Sequence, residues 1–261
     1  MGIIKNKHLN NFYILLIFSI LSCDTSSDGL LGFSENSSAS GAGIGGSMAR
    51  FTIVDDHLYT VDSYNLNTFD ISDQKNPDFK SEIDLGWGIE TIFPYENRLF
   101  IGAQSGMHIY DLKDKDKPSW ISTYEHMTSC DPVVVQDNYA FVTLRGGNEC
   151  MGFNNQLDII DISKIDQPTL FKTYEMIQPH GLGVDNKCLF ITEGEFGLKM
   201  FDISNLNNLK LIEHFKDINS IDVIPFMNIL MVIGEDGFHQ YSYDCEEAKI
   251  EYISTIPIVK L

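Results

Sequence analysis

From residue 49 onward, apolar positions come in short runs of four to seven residues, rich in Val, Ile, Leu, Phe and Tyr and separated by Asp, Asn, Gly and Pro. Such punctuation predicts β-strands joined by tight turns. The first unit reads as strands near 50–54, 57–62, 66–71 and 79–85. No window of 12 or more residues in this part has the 3.6-residue period of an amphipathic helix, which argues against a helical solenoid.

The pattern then repeats. Phe69-Asp70-Ile71-Ser72 recurs as Tyr110-Asp111-Leu112, Ile160-Asp161-Ile162-Ser163 and Phe201-Asp202-Ile203-Ser204, with a degenerate copy at Tyr241-Ser242-Tyr243. The Asp spacing is 41, 50 and 41 residues, and Ser242 follows 40 further on. A second anchor precedes each Asp, at Leu58-Tyr59, Leu99-Phe100, Ala140-Phe141, Leu189-Phe190 and Leu230-Met231. Four short antiparallel strands per unit of about 40 residues is the size of a propeller blade. The fold class is therefore all-β, a β-propeller of five blades of four antiparallel strands, with a sixth blade completed by a terminal segment as the alternative. The repeats run about 49–88, 89–130, 131–179, 180–220 and 221–261.

The third-strand phrases Leu157-Asp158-Ile159-Ile160-Asp161-Ile162-Ser163 and Leu198-Lys199-Met200-Phe201-Asp202-Ile203-Ser204 resemble the LVIVD repeat of secreted and surface-anchored bacterial β-propeller proteins. The resemblance covers roughly residues 49–244 and is weakest in the last copy, where Ser242 replaces Asp. It implies fold and compartment and no single activity.

The N-terminus predicts export. Lys5 and Lys7 precede an apolar run of ten residues, Phe12–Leu21, too short to span a bilayer. That run ends in Ile20-Leu21-Ser22-Cys23, which resembles the bacterial lipobox, in which the Cys is acylated and becomes the first mature residue. Residues 1–22 then form a lipoprotein signal peptide. Residues 23–47 are the lipidated Cys23 with a Gly/Ser-rich tether that lacks the apolar residues to fold, and residues 48–261 are the propeller. Localisation in the cell envelope follows, in the outer membrane on its periplasmic or surface face, with palmitate-type acylation as the only membrane contact.

Charge narrows the partners. The formal net charge is −19, more acidic still once Lys5 and Lys7 leave with the leader. Nucleic acid and anionic lipid are disfavoured, and the same acidity keeps an exposed β-protein soluble and monomeric. Of four cysteines after Cys23, Cys130 and Cys150 fall on one face of the third unit and are expected to pair, closing a loop of about 20 residues worth about 3 kcal/mol. Cys188 and Cys245 fall on the opposite face of neighbouring units, where a disulfide and a buried free thiol are equal alternatives.

The same topology locates a candidate site. Aligning the units places Ala49, Glu90, Asp131, His180 and Ile221 in one column, and Arg50, Thr91, Pro132, Gly181 and Asp222 in the next. Both columns begin the innermost strands and ring one mouth of the channel, so Arg50, Glu90, Asp131, His180 and Asp222 are expected to converge there. The loops after the second strands add Arg145 and the long insertion of the third unit, together with Asp62, Gln104, Glu193, Glu195, Glu235 and Asp236. Convergent polar groups in a concavity are the usual pattern of a binding site. His180 is the foremost candidate. The repeated Asp column reads as scaffold, accepting turn N–H bonds. His108 and His239, in the column of Asn67, Asp158 and Lys199, read as an exposed face.

No zinc, EF-hand, nucleophile-elbow or phosphate-loop spacing occurs. No cofactor is therefore expected, and a cation held by Glu90, Asp131 and Asp222 is the one ion the columns would suit. The leading reading is an envelope interaction module for a protein, peptide or glycan. Its alternative is a hydrolase or lyase using Glu90 and Asp131 as acid and base beside His180.

Overall fold

The computed structural model describes residues 45–125, 132–147 and 154–258. Cys23, Cys130, Cys150 and Asp131, and with them the expected signal peptide, acylation site and Cys130–Cys150 bridge, lie outside the described residues. The rest forms five sheets, each of four antiparallel strands paired in sequence order. Blade one is β1 (Phe51–Val54), β2 (His57–Val61), β3 (Asn65–Asp70) and β4 (Asp78–Asp84); blade two is β5 (Ile89–Tyr95), β6 (Arg98–Ala103), β7 (Gly106–Asp111) and β8 (Ser119–Glu125). Blade three is β9 (Val133–Gln136), β10 (Tyr139–Leu144), β11 (Gln156–Asp161) and β12 (Thr169–Glu175). Blade four is β13 (Leu182–Asp185), β14 (Cys188–Thr192), β15 (Leu198–Asp202) and β16 (Lys210–Phe215). Blade five is β17 (Ser220–Phe226), β18 (Ile229–Gly234), β19 (Gly237–Asp244) and β20 (Lys249–Pro257). The first strands of consecutive blades touch one another, which makes them the inner strands.

Each repeated feature has a local cause. The column of aspartates ends the third strands as expected: Asp70, Asp111, Asp161 and Asp202 accept hydrogen bonds from the backbone N–H two residues on, at 2.7–2.9 Å. At Asp70 the Ser72 hydroxyl, together with the Ser72 N–H, holds the carboxyl down at about 2. Where Ser242 breaks the column, β19 runs on to Asp244, which accepts from Glu246 N at 2.8 Å instead. In every blade the ladder between the third and fourth strands slips at the same place, between Thr68 and Phe69 in blade one and between Gln240 and Tyr241 in blade five. This recurrent bulge adds twist where the blade is widest.

The core lies between the blades. Apolar clusters join blade one to two, two to three, three to four and four to five, each built from alternate residues of facing sheets. Both faces of a middle blade are thus covered, which corrects the reading of the His108 column as an exposed face. Asp158 and His239 are buried, 4 % and 5 % exposed. Their polar groups are met across the ladder: His108 Nδ1 lies 2.9 Å from Thr123 Oγ1, Asp158 accepts from Thr173 at 2.6 Å, and His239 Nδ1 lies 2.9 Å from Thr255 Oγ1. Burial pushes the His108 imidazole below its usual range.

The junction from blade five to blade one is of another kind. At the position held by Phe51 in β1, the other described blades bury Ile92, Val133, Leu182 and Val223, whereas Phe51 is 61 % exposed. On blade five, Ile233 and Ile256 are likewise exposed. No apolar cluster joins these two blades among the described residues. Polar groups near the hub link them instead. Ser47 donates from Oγ to Asp222 Oδ1 at 3.0 Å and accepts from Leu182 N at 2.8 Å, and Met48 N donates to Asp222 Oδ2 at 3.4 Å. Composition assigned Gly46 and Ser47 to the tether, but both are buried here. Gly46 and Gly181 are needed as glycines, because a Cβ at either would stand 2.1 Å from an Asp222 carboxylate oxygen.

Burial pushes the Asp222 carboxyl up to about 6, against the opposing hydrogen bonds from Val223 N, Ser47 and Met48 N. The folded carboxyl therefore holds its proton more tightly than the unfolded one. The stability this adds is fully present below about pH 4 and is lost as pH rises through about 6; a shift of that size corresponds to about 3 kcal/mol. Unfolding of the wild type and Asp222→Asn in urea at pH 4 and pH 7 is expected to show this gain on acidification in the wild type alone. Equal responses in the two chains would contradict it.

Candidate functional site at the channel mouth

The starts of the inner strands enclose a cavity of about 270 Å³. Five of its lining residues come from the two predicted columns: Arg50, Glu90, Thr91, Pro132 and His180. Arg145, just after β10, also lines it, with Met48 and Pro179. Four of the six candidate ligand residues, Arg50, Glu90, His180 and Arg145, therefore share one concavity. Asp131 lies outside the described residues. Asp222 is the correction: it is 8 % exposed and committed to Ser47, Met48 and Val223, and it forms no part of the cavity wall. The reason is that Gly46 and Gly181 open space on its inner side, and the chain before β1 folds over it.

His180 is held from several directions. Its N–H donates to Thr192 O at 2.7 Å, its carbonyl accepts from Thr143 Oγ1 at 2.6 Å, and the turn at Gly194, with φ of 58°, passes close to its ring. Arg145 Nη1 lies 2.7 Å from Nδ1 and 2.9 Å from Nε2. Burial, reinforced by the Arg145 guanidinium, brings the imidazole down to about 4. At neutral pH the ring is uncharged, a poor proton donor that can accept a proton. Glu90 is engaged by Gln104, whose Nε2 donates to Oε1 at 3.2 Å.

The second-strand loops divide. Gln104 and Arg145 serve the cavity. Glu193 is fully buried and structural, accepting from Ile177 N at 2.8 Å and pairing with Lys199 Nζ at 2.5 Å. Asp236 lies 3.0 Å from His239 Nε2, and Asp62 caps its own turn through Tyr64 N and Asn65 N. With Asp222 withdrawn, the cation reading loses one of its three carboxylates, and among the described residues no group of three or more His, Cys, Asp or Glu side chains is placed to hold a metal. Met48 and Pro179 were the lining residues not foreseen. Pro179 adjoins His180 and was within reach of the column argument; Met48 sat in a stretch whose composition reads as linker.

Five four-stranded sheets whose first strands touch in succession from blade one to blade five define a β-propeller-like fold. The family model of the LVIVD repeat matches residues 129–176, around the third unit. Among solved structures it is similar to a protein from Lactobacillus plantarum, at 14 % identity and TM-score 0.62 over 77 % of this chain and 67 % of that one. It is also similar to a protein of unknown function from Desulfotomaculum acetoxidans, at 10 % identity and TM-score 0.64 over 83 % and 69 %. A putative 6-phosphogluconolactonase from Bacteroides fragilis aligns at 12 % identity and TM-score 0.63 over 80 % and 69 %. At such identities the likeness shows the fold alone. No curated protein matches. A repeat-built propeller of this kind supports a generic interaction module.

Proposed function

We propose that this protein is a cell-envelope β-propeller, lipid-anchored through Cys23, that binds a protein, peptide or glycan partner at its channel mouth. The observation that carries the reading is the cavity itself, which gathers Arg50, Glu90, Arg145 and His180 from four separate stretches of chain. The lipobox-like Ile20-Leu21-Ser22-Cys23 supports the anchor, and the Cys188–Cys245 disulfide fits an oxidising compartment. Binding is preferred to hydrolysis because the sequence carries no nucleophile-elbow, metal-hydrolase or phosphate-loop spacing.

The test compares the detergent-solubilised full chain with Met48→Trp, a change at a partly exposed lining residue that narrows the mouth. The wild type is expected to retain an envelope component that the variant loses. Retention of nothing, or of the same components by both chains, would count against the reading.

A further inference from the structure

A second cavity lies at the outer edge of blade two, where β7 and β8 meet the loop between β11 and β12 of blade three. Its volume is about 580 Å³, within the range of ligand clefts, and it shares no lining residue with the mouth. Trp120, one of only two tryptophans in the chain, forms part of its wall and is 61 % exposed. Its indole N–H donates to Thr123 Oγ1 at 3.1 Å, and the same hydroxyl lies 2.9 Å from His108 Nδ1. Across the groove, Ser122 Oγ donates to Ile165 O at 2.6 Å, which fastens the loop that carries Asp166.

Blade five repeats this arrangement with one difference. Tyr252 Oη donates to Thr255 Oγ1 at 3.0 Å, and His239 Nδ1 lies 2.9 Å from the same hydroxyl. There the second ring nitrogen is also taken, because Asp236 Oδ1 lies 3.0 Å from His239 Nε2. Asp236 and Ser105 hold the same place, one residue before the glycine that opens the third strand. The short Ser105 side chain makes no hydrogen bond among the described residues, so His108 Nε2 is left unengaged in blade two. In either tautomer that nitrogen offers one hydrogen bond to the groove. Glu125 and Asp166, also in the lining, have no hydrogen-bonded or ionic side-chain partner among the described residues.

An exposed apolar side chain alone is no site, since Phe79, Leu170 and Leu211 occupy the same column of other outer strands and are exposed as well. What sets blade two apart is an aromatic wall beside unengaged polar groups: one imidazole nitrogen, one hydroxyl and two carboxylates, with no cationic side chain in the lining. Two carboxylates on a chain of net charge −19 repel an anionic ligand. They accept hydrogen bonds readily from neutral hydroxyls. A sugar ring carries such hydroxyls around its rim, while its C–H groups leave one face apolar. That face stacks on an aromatic ring, and the rim is met by short polar side chains.

We propose that the outer edge of blade two is a carbohydrate site, in which Trp120 stacks on a neutral sugar ring while His108, Ser105 and Asp166 bond its hydroxyls. This site is separate from the channel mouth and stands whether or not the mouth binds a partner.

The test is isothermal titration calorimetry of the full chain, in micelles of a detergent without a sugar head group, with trisaccharides of glucose, mannose, galactose and N-acetylglucosamine. Tetramethylammonium chloride is titrated alongside as an organic cation. We expect saturable binding of at least one trisaccharide. Ser105→Asp copies the blade-five arrangement by engaging His108 Nε2, and it should weaken that binding by about tenfold or more. Ser105 is exposed, so this variant leaves the core untouched. Trp120→Ala should abolish binding. In Trp87→Phe, where Trp120 is the one remaining tryptophan, the same trisaccharide should shift the emission. No binding of any trisaccharide, or wild-type affinity in both Ser105→Asp and Trp120→Ala, would overturn the proposal. Binding lost in Met48→Trp but kept in Trp120→Ala would do so too, by placing the sugar at the mouth. Tetramethylammonium binding without sugar binding would make the groove a site for organic cations on the Trp120 face instead.

Discussion

Replacing Lys199 by methionine is expected to lower the unfolding free energy by about 3–5 kcal/mol, the cost of leaving a buried charge without its partner. The charge is Glu193, whose side chain has no exposed surface, and Lys199 is itself 12 % exposed. One carboxylate oxygen, Oε1, accepts from Ile177 N at 2.8 Å; the other, Oε2, has Lys199 Nζ at 2.5 Å and no further partner. The pair also fixes a turn, since Glu193 N donates to Gly197 O at 2.7 Å and Phe196 N to Glu193 O at 3.0 Å. Methionine preserves most of the Lys199 stem, so lost packing contributes little and the change isolates the ion pair. Urea unfolding at neutral pH measures the effect. The double variant Lys199→Met, Glu193→Gln should recover much of the loss, because a neutral amide costs less to bury than an unpaired carboxylate. A single variant within about 1 kcal/mol of the wild type, as for an exposed ion pair, would show that the pair is solvated.

Breaking the Cys188–Cys245 bridge is expected to cost about 4 kcal/mol in the chain-entropy account for a loop of this length. The two residues are 57 apart in sequence, and their Cα atoms are 5.5 Å apart. Cys188 opens β14 in blade four and Cys245 follows β19 in blade five, so the bond ties covalently two blades that also meet through side chains and through backbone hydrogen bonds from Gly181 N to Ile221 O and between Gly194 and Ser220. Its surroundings are ordered by the same junction: Phe190 meets Tyr243 edge-on at 4.9 Å, and Tyr243 Oη donates to Asp185 Oδ2 at 2.6 Å. Burial, with the Asp185 carboxylate beside it, pushes the Tyr243 hydroxyl well above its usual range. Cys188→Ala with Cys245→Ala tests the energy, and mass spectrometry of the unreduced digest tests the bond. A linked Cys188–Cys245 peptide that disappears on reduction is expected. Free thiols at both positions in protein isolated without reductant would contradict it.

Much of this architecture is legible in the one-dimensional pattern because a propeller blade is a local object. Its strands pair with their sequence neighbours, so the two-residue alternation, the Asp at each third-strand end and the recurring anchors mark the blades within a residue or two. Asp70, Asp111, Asp161 and Asp202 could be read as turn acceptors because that bond spans only two residues. The mouth columns were legible for the same reason: a fixed offset within each unit, repeated about a ring, brings Arg50, Glu90 and His180 together.

What only the tertiary structure decided concerns contacts between units. The alignment gives Asp222 the same place as Thr91 and Pro132, but the chain at Gly46 and Ser47 covers it and takes it out of the mouth. Glu193 looked like a loop carboxylate and is a buried partner of Lys199, and the His108 column looked exposed and is packed between blades. Cys188 and Cys245 were equally compatible with a bond or with thiols until their separation was known. The sequence by itself determined the five repeat units and the offset that aligns their strand starts, because those rest on hydrogen bonds between neighbours in the chain; that five blades and no sixth form among the described residues came from the structure. Burial, and with it charge pairing, proton affinity and the uncovered flanks at Phe51 and Ile233, depends on which blade lies against which, and that is settled only when distant stretches meet.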